Sequence, residues 1–240
     1  MIINSQGLDP REINELIRTA KEESIILNNC LGQRFIGSGL GKKEISINGI
    51  PGNALGAYLN GASITVNGNA QDAVGDTMDS GEIVIHGSAG DAAGYSMRGG
   101  EIYIKNNAGY RAGVHMKEYK QKKPVIVIGG RAGSFLGEYQ AGGIIIVLGL
   151  NTDGRPIVSN FPCTGMHGGK MILRGELPQI HFPHQTTSHT AGENDFAQFA
   201  PFIKKYCDHF GADYEKLLND KYTVITPDSK NPYKQMYVSN

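Results

Sequence analysis

Tryptophan is absent from this 240-residue chain, and neither sign of charge is in excess: 23 Lys and Arg balance 23 Asp and Glu. A balanced chain with no basic run is a poor match for nucleic acid or an anionic membrane. Neutrality also removes one brake on association, so a subunit or homo-oligomer is expected. Long apolar runs are lacking too, and the most apolar stretch, residues 142–150, falls far short of a membrane span. The opening residues, Met-Ile-Ile-Asn-Ser-Gln, show no basic region followed by an apolar stretch, so no signal peptide is expected. Cysteine is scarce: Cys30, Cys163 and Cys207 form no CxxC pair. Reduced thiols in a cytoplasmic protein are the expectation.

What the sequence has in plenty is glycine, 33 residues of it. That level means collagen, low complexity, or a backbone with many special turns. No G-x-y period exists and β-branched runs recur, which leaves the turns. Aligned on itself at a spacing of nineteen, the chain falls into register. Cys30, Gly49, Gly68, Gly87 and Asn106 open successive units, and seven residues later come Gly37, Gly56, Gly75, Gly94 and Gly113. Another small residue follows (Ala62, Gly81, Gly100), then a short alternating run: Glu44-Ile-Ser-Ile47, Ser63-Ile-Thr-Val66, Glu82-Ile-Val-Ile85, Glu101-Ile-Tyr-Ile104. A five-residue, lysine-rich insertion at residues 116–123 lengthens the next unit. The pattern resumes with Gly130, Gly137 and Gly143, and a last extended unit ends in Gly168-Gly169-Lys-Met-Ile-Leu173.

A fixed period with one short strand per unit marks a solenoid, in which stacking supplies the core that no unit can build alone. The sequence therefore predicts a mainly β chain, a right-handed parallel β-helix of about seven coils and a rod about 30 Å long at ~4.8 Å per coil. Residues two apart in a strand share a face. Ile45, Ile64, Ile83 and Ile102 are thus expected inside, with Ile47, Val66, Ile85 and Ile104. A second inward ladder follows Leu40, Leu59, Met78, Met97, Met116 and Met166, read as soft core filling more than as a metal stripe. The glycines seven residues into each unit read as corners needing positive φ. Gly37-Ser-Gly-Leu-Gly41 spells a phosphate-loop fragment. It runs into a strand instead of a helix, which argues against a dinucleotide site.

Three parts are expected: an N-terminal cap at 1–29, the repeat body at 30–175 and a C-terminal extension at 176–240. Asp9, Pro10 and Glu12 form an N-cap, a first-turn proline and a capping-box partner. With Ile13, Leu16, Ile17 and Ala20 on one face, they predict a helix over about 10–23 covering the first coil. Residues 176–192 read as a loop. Phe196, Phe199, Ile203, Tyr206, Cys207 and Phe210 predict a helix started or kinked by Pro201 and ended by Gly211. A short helix at 213–219 and an extended tail at 222–238 follow. The outward strand positions, Ser46, Thr65, Val84, Tyr103, Val127, Ile146 and Ile172, turn from polar to apolar along the rod. Something must cover the apolar half, either the chain's own C-terminal helix and tail or a partner.

Groups that carry chemistry are sparse. His181 and His184, with His189, Cys163 and His167, have the donor types for zinc. Their spacing matches no structural zinc motif, and ordinary loop histidines are the blander reading. Glu82 and Glu101 occupy equivalent positions of neighbouring coils, where paired carboxylates do acid–base work or merely decorate a sheet. Arg98 is placed to neutralise them. The four lysines of residues 117–123 project in one loop, a docking contact for an acidic partner or simply exposed chain.

The units Gly68…Gly75…Gly81, Gly87-Ser-Ala-Gly-Asp-Ala-Ala-Gly94 and Gly130-Arg-Ala-Gly-Ser-Phe-Leu-Gly137 resemble the GXGXG repeats of the C-terminal domain of the glutamate synthase large subunit. The C subunit of formylmethanofuran dehydrogenase is similar. Gly165-Met-His-Gly-Gly-Lys-Met-Ile-Leu-Arg-Gly175 resembles the stand-alone form of that domain, and Asn231-Pro-Tyr233 in the tail also looks family-like. The resemblance covers about residues 28–175. It implies a structural β-helix in a glutamate-synthase-like complex, with glutaminase cysteine, flavin and iron–sulfur cluster in other domains or chains. No catalytic, cofactor-binding or metal-binding residue carries over to this sequence. The expected partners are the glutaminase and flavin/iron–sulfur components of such a complex. Two alternatives stand beside that reading: a solenoid subunit of a formylmethanofuran-dehydrogenase-like redox complex, or a free-standing hydrolase or binding protein using the His181–His189 loop.

Overall fold

The computed structural model describes residues 1–177 and 179–228, so the expected tail at 222–238 is described only as far as Asp228, and Asn231-Pro-Tyr233 lies outside the described residues. The chain is mainly β, with a single open sheet of eleven strands whose edges are β1 (Ile2–Asn4) and β10 (Thr186–Thr190). Between them, β2 (Ser24–Leu31), β3 (Glu44–Ile50), β4 (Asn60–Asn67), β5 (Ser80–Ile85), β6 (Glu101–Ile104), β7 (Val125–Ile128), β8 (Ala141–Val147) and β9 (Gly168–Arg174) lie side by side in chain order, all parallel. β11 (Tyr222–Pro227) then adds antiparallel to β9, and β10 antiparallel to β11.

The register follows the nineteen-residue spacing, with Ile45 paired to Ile64, Ile64 to Ile83 and Ile83 to Ile102, and it is kept across the five-residue insertion, where Ile102 pairs with Ile126. The units also stack along two other lines. Ala70, Ala89, Ala108, Ala132 and Val158 form a chain of parallel bridges. At the corners, the N–H of Gly56, Gly75, Gly94 and Gly113 donates to the carbonyl of Ile36, Leu55, Val74 and Ala93 in the unit before. Side chains cap a further backbone N–H one unit on: Asp72 Oδ1 accepts from Asp91 N at 2.9 Å, and Asp91 Oδ1 from Tyr110 N at 2.8 Å. The inward isoleucines and all six residues of the leucine–methionine ladder share one buried core. Gly75 shows why the corner is glycine. Its φ is +67°, and a Cβ there would lie 2.6 Å from Ile102 Cδ1.

Two slots depart from the repeat. In the last unit the corner position is held by Cys163, whose φ is +61° and whose N–H donates to Leu136 O. The sheet position after β9 belongs to antiparallel β11, so the parallel stacking that forbids a Cβ at earlier corners ends here. In the methionine ladder, the step between Met116 and Met166 is taken by Gln140. It is fully buried, with Nε2 donating to the carbonyls of Gly142 and Gly143 and with Oε1 unpartnered among the described residues.

The N-terminal helix forms as expected but is shorter. α1 (Pro10–Thr19) has Asp9 as its cap and the Asp9–Glu12 capping box, and it buries Ile13 and Ile17 in the core. The chain then enters β2 at Ser24, because Ile25 and Leu27 fill the inward slots ahead of Ile45 and Ile47. At the other end, α2 (Glu193–Phe210) contains Pro201, and Gly211 ends it in a left-handed conformation; α3 (Tyr214–Leu218) follows. The stretch expected as loop holds β10. α2 covers the apolar half of the outer sheet face: Phe199, Ile203, Tyr206 and Cys207 pack with Val84, Tyr103, Val127, Ile146 and Ile172. The chain itself thus supplies that cover.

Candidate functional site

A cluster of titratable groups forms where α2 lies on β5 and β6. Glu82 and Glu101 pair in register on neighbouring strands. Lys205 comes down from α2 with its Nζ 2.7 Å from Glu101 and 3.8 Å from Glu82, and His209 Nε2 stands 3.4 Å from Glu82. Tyr103 OH donates to Glu101 at 2.6 Å. Burial, with that carboxylate beside it, pushes the phenol well above its ordinary range. Arg98, expected to balance the pair, turns instead to Ser96 O. The balancing cation, Lys205, comes from a helix more than a hundred residues away in sequence, which no local pattern signals. The cluster closes α2 onto the sheet as an ionic clasp. His86 next to it lies edge-on to Phe210 at 5.2 Å, and burial, with Lys105 and His209 nearby, lowers its pKa.

The histidines and cysteine with zinc-type side chains are scattered. Cys163 is fully buried, 3.4 Å from Met171 Sδ, and burial pushes its thiol up to about 12. His167 Nδ1 is held by Gly165 O at 2.9 Å. His181 lines a cleft of about 400 Å³ with Arg131, Asn160 and Phe161. His189 lines a different cleft, of about 450 Å³, and binds Asp195 at 3.0 Å. His184 is exposed on the intervening loop. These five side chains converge on no common centre. Burial works to raise Asp195, but hydrogen bonds from His189, Gly192 N–H and Lys170 outweigh it and hold the carboxyl below its ordinary value.

In the lysine loop, Lys122 pairs with Asp79 and Lys120 lies over the Tyr119 ring, while Lys117 and Lys123 have no ionic partner among the described residues. No described helix is long and apolar enough to cross a membrane. A third surface was not singled out from the sequence. Two residues before and after each corner, the backbone again takes positive φ, and large side chains stand out there: Phe35, Tyr58, Tyr139 and Phe161. Its signal was in the sequence, as aromatics recurring at fixed steps from the corner glycines.

Comparison with known proteins places this geometry. The chain is 43% identical over 250 residues to the uncharacterized protein MJ1350 of Methanocaldococcus jannaschii, covering 99% of this chain and 96% of that one. Its fold is similar to a chain in the crystal structure of the formyltransferase/hydrolase complex of Methylorubrum extorquens with methylofuran, at a TM-score of 0.60 and 21% identity over 91% of this chain and 89% of the other. A family model described as the GXGXG motif matches residues 11–229. That match spans the glycine corners and the strands they space, and the chain belongs to the GXGXG motif family.

Proposed function

We propose that this chain is a non-catalytic structural subunit of a multi-protein complex. Its units wind into a right-handed parallel β-helix of about seven coils, with a cap at 1–29, the repeat body at 30–175 and an extension at 176–240. The reading rests on one observation above others: its fold likeness spans nine-tenths of both chains and falls on a chain of a multi-protein assembly. The chain's contribution is to hold partner chains at fixed spacing along a stiff stack. The lysine loop at 117–123 offers cations to an acidic partner.

Of the two assemblies the repeats resemble, a formylmethanofuran-dehydrogenase-type complex is favoured, since the solved neighbour belongs to a formyl-handling assembly. The glutamate-synthase setting is supported by the sequence resemblance of the repeats and of residues 165–175, without a solved neighbour beside it, and so stands second. Affinity purification of this chain from its native cell, with mass spectrometry and metal analysis, tests both. Co-purifying molybdenum or tungsten with redox and formyl-transferring chains is the expected result. An iron–sulfur flavin protein with a glutaminase-like chain would move the assignment to the second setting. Recovery of the chain alone would refute the subunit reading.

A further inference from the structure

The exposed corner ridge has a symmetry of its own. Counting units by their corner residue (Gly37, Gly56, Gly75, Gly94, Gly113, Gly137, Cys163), the residues two steps past the corner are Gly39, Tyr58, Thr77, Ser96, His115, Tyr139 and Gly165. The row reads nearly the same in both directions about Ser96. Two steps before the corner, the row begins with Phe35 and ends with Phe161, and both rings are exposed, at 52% and 62%. Tyr95, 41% exposed, marks the centre. The charges break the mirror in a useful way. One unit to the N-terminal side of the centre stand Asp72 and Asp76; one unit to the C-terminal side stands Arg111. Arg111 gives its Nε to Glu138 and lies over the Phe135 ring, yet its side chain stays 52% exposed.

A surface whose exposed rings match at the ends and beside them, with Asp72 and Asp76 on one side of the centre and Arg111 on the other, can complement itself. We infer that this ridge is the interface with a second copy of this chain, the two stacks running antiparallel about a twofold axis beside Ser96. In that arrangement Phe35 meets Phe161 of the copy and Tyr58 meets Tyr139. The carboxylates of Asp72 and Asp76 face Arg111. Such an isologous contact repeats every pair twice. The aromatic rings and arginine are the residue types that anchor interfaces. Seven units at ~4.8 Å reach about 29 Å between the first and last, close to the roughly 32 Å breadth of a standard patch of ~800 Å² per partner. One contact opposes the pairing: Asp91 lies in the central unit and meets its own copy, with its Oδ1 held by Tyr110 N–H.

Oxidative cross-linking of the full chain tests the axis directly. The native thiols Cys30, Cys163 and Cys207 are buried and should stay silent. Ser96→Cys is expected to form a disulfide with its own copy. Thr77→Cys or His115→Cys alone should not, whereas an equimolar mixture of those two should. Sedimentation equilibrium should give a mass near twice 25.9 kDa. Arg111→Glu should raise the dimer dissociation constant at least tenfold while the monomer keeps the parent's circular dichroism spectrum, and Asp91→Asn should lower the constant. A monomer at 100 µM (a concentration set by the assay, on the order of weak interface affinities) overturns the inference. So does cross-linking of Ser96→Cys no better than Thr77→Cys, or Arg111→Glu releasing a different chain from the native complex while the copy number is unchanged. These outcomes are independent of which partners an affinity purification recovers.

Discussion

The corner glycines can be dissected into two costs, because the fold contains a position that carries only one of them. Gly39 and Gly75 have nearly the same φ, +66° and +67°, but a Cβ at Gly39 meets nothing within 4 Å, whereas one at Gly75 lies 2.6 Å from Ile102 Cδ1. Left-handed backbone costs a non-glycine residue roughly 1–2 kcal/mol. The fold bears that cost at Ala73 and even at β-branched Thr77, at +57° and +53°. Gly39→Ala should therefore lose only about 1–2 kcal/mol. At Gly75 the methyl overlaps Ile102 by about 1 Å relative to a normal carbon contact, and overpacking of that kind costs a further ~1–3 kcal/mol. Gly75→Ala should lose about 2–5 kcal/mol. At ~2–4 °C per kcal/mol for a chain of this size, thermal unfolding followed by circular dichroism should show a drop of about 2–8 °C for Gly39→Ala and a clearly larger one for Gly75→Ala. Gly75→Val, which adds two more carbons against Ile102, should be worse again. Equal drops at Gly39 and Gly75 would show that the overlap is relieved without cost. A Gly75→Val protein that melts like the parent would remove the corner argument altogether.

Other consequences are open to measurement. Asp195 has a folded pKa below its unfolded value of about 3.9, so its contribution is full above that value and disappears as pH falls through the lower folded one. The stability gap between parent and Asp195→Asn should hold from pH 7 to about 5 and close below about pH 4; a gap that widens on acidification would contradict the sign. Burial raises all three thiols, Cys30 to about 11 and Cys163 to about 12. A thiol reagent at pH 8 should label the folded chain slowly and the denatured chain three times; rapid native labelling at Cys163 would place it outside the core. Lys205→Met should destabilise by no more than about 1 kcal/mol, since its side chain is half exposed and screened. Most of that loss should vanish when Glu101 is already Gln, as a double-mutant cycle would read.

The repeat was legible because its signal is periodic and local. Glycine at a forced φ, isoleucine two residues apart and a nineteen-residue step each carry the same message, and they placed β3 to β6 and the methionine ladder. Outside the repeat, β11 falls in the expected extended tail, but β2 and β10 were not legible. β2 follows a helix and has no glycine corner before it, and β10 is five polar or aromatic residues on an edge, with no inward face to impose alternation. The apolar drift from Ser46 to Ile172 announced a cover without naming it, and α2 proved to be that cover. The clasp of Lys205 and His209 on the glutamates arises only from where α2 lies, and side chains a hundred residues apart leave no mark on each other in one sequence. Cys163 shows the converse: a side chain of metal-ligating type in a histidine-rich stretch of sequence is a corner residue whose thiol lies buried against Met171 sulfur.

The caps that Asp72 and Asp91 extend to the backbone of the following unit make each layer the template for the next. Length in such a molecule is therefore quantised. Excising or duplicating a whole nineteen-residue unit leaves every donor with an acceptor and changes the distance between the two ends by one strand spacing, about 4.8 Å. Removing ten residues would bring polar outward positions into slots that isoleucine must fill. Variation in reach between this chain and its kin should come in whole steps, with the lengthened loop at 117–123 and others like it absorbing everything that is not a multiple.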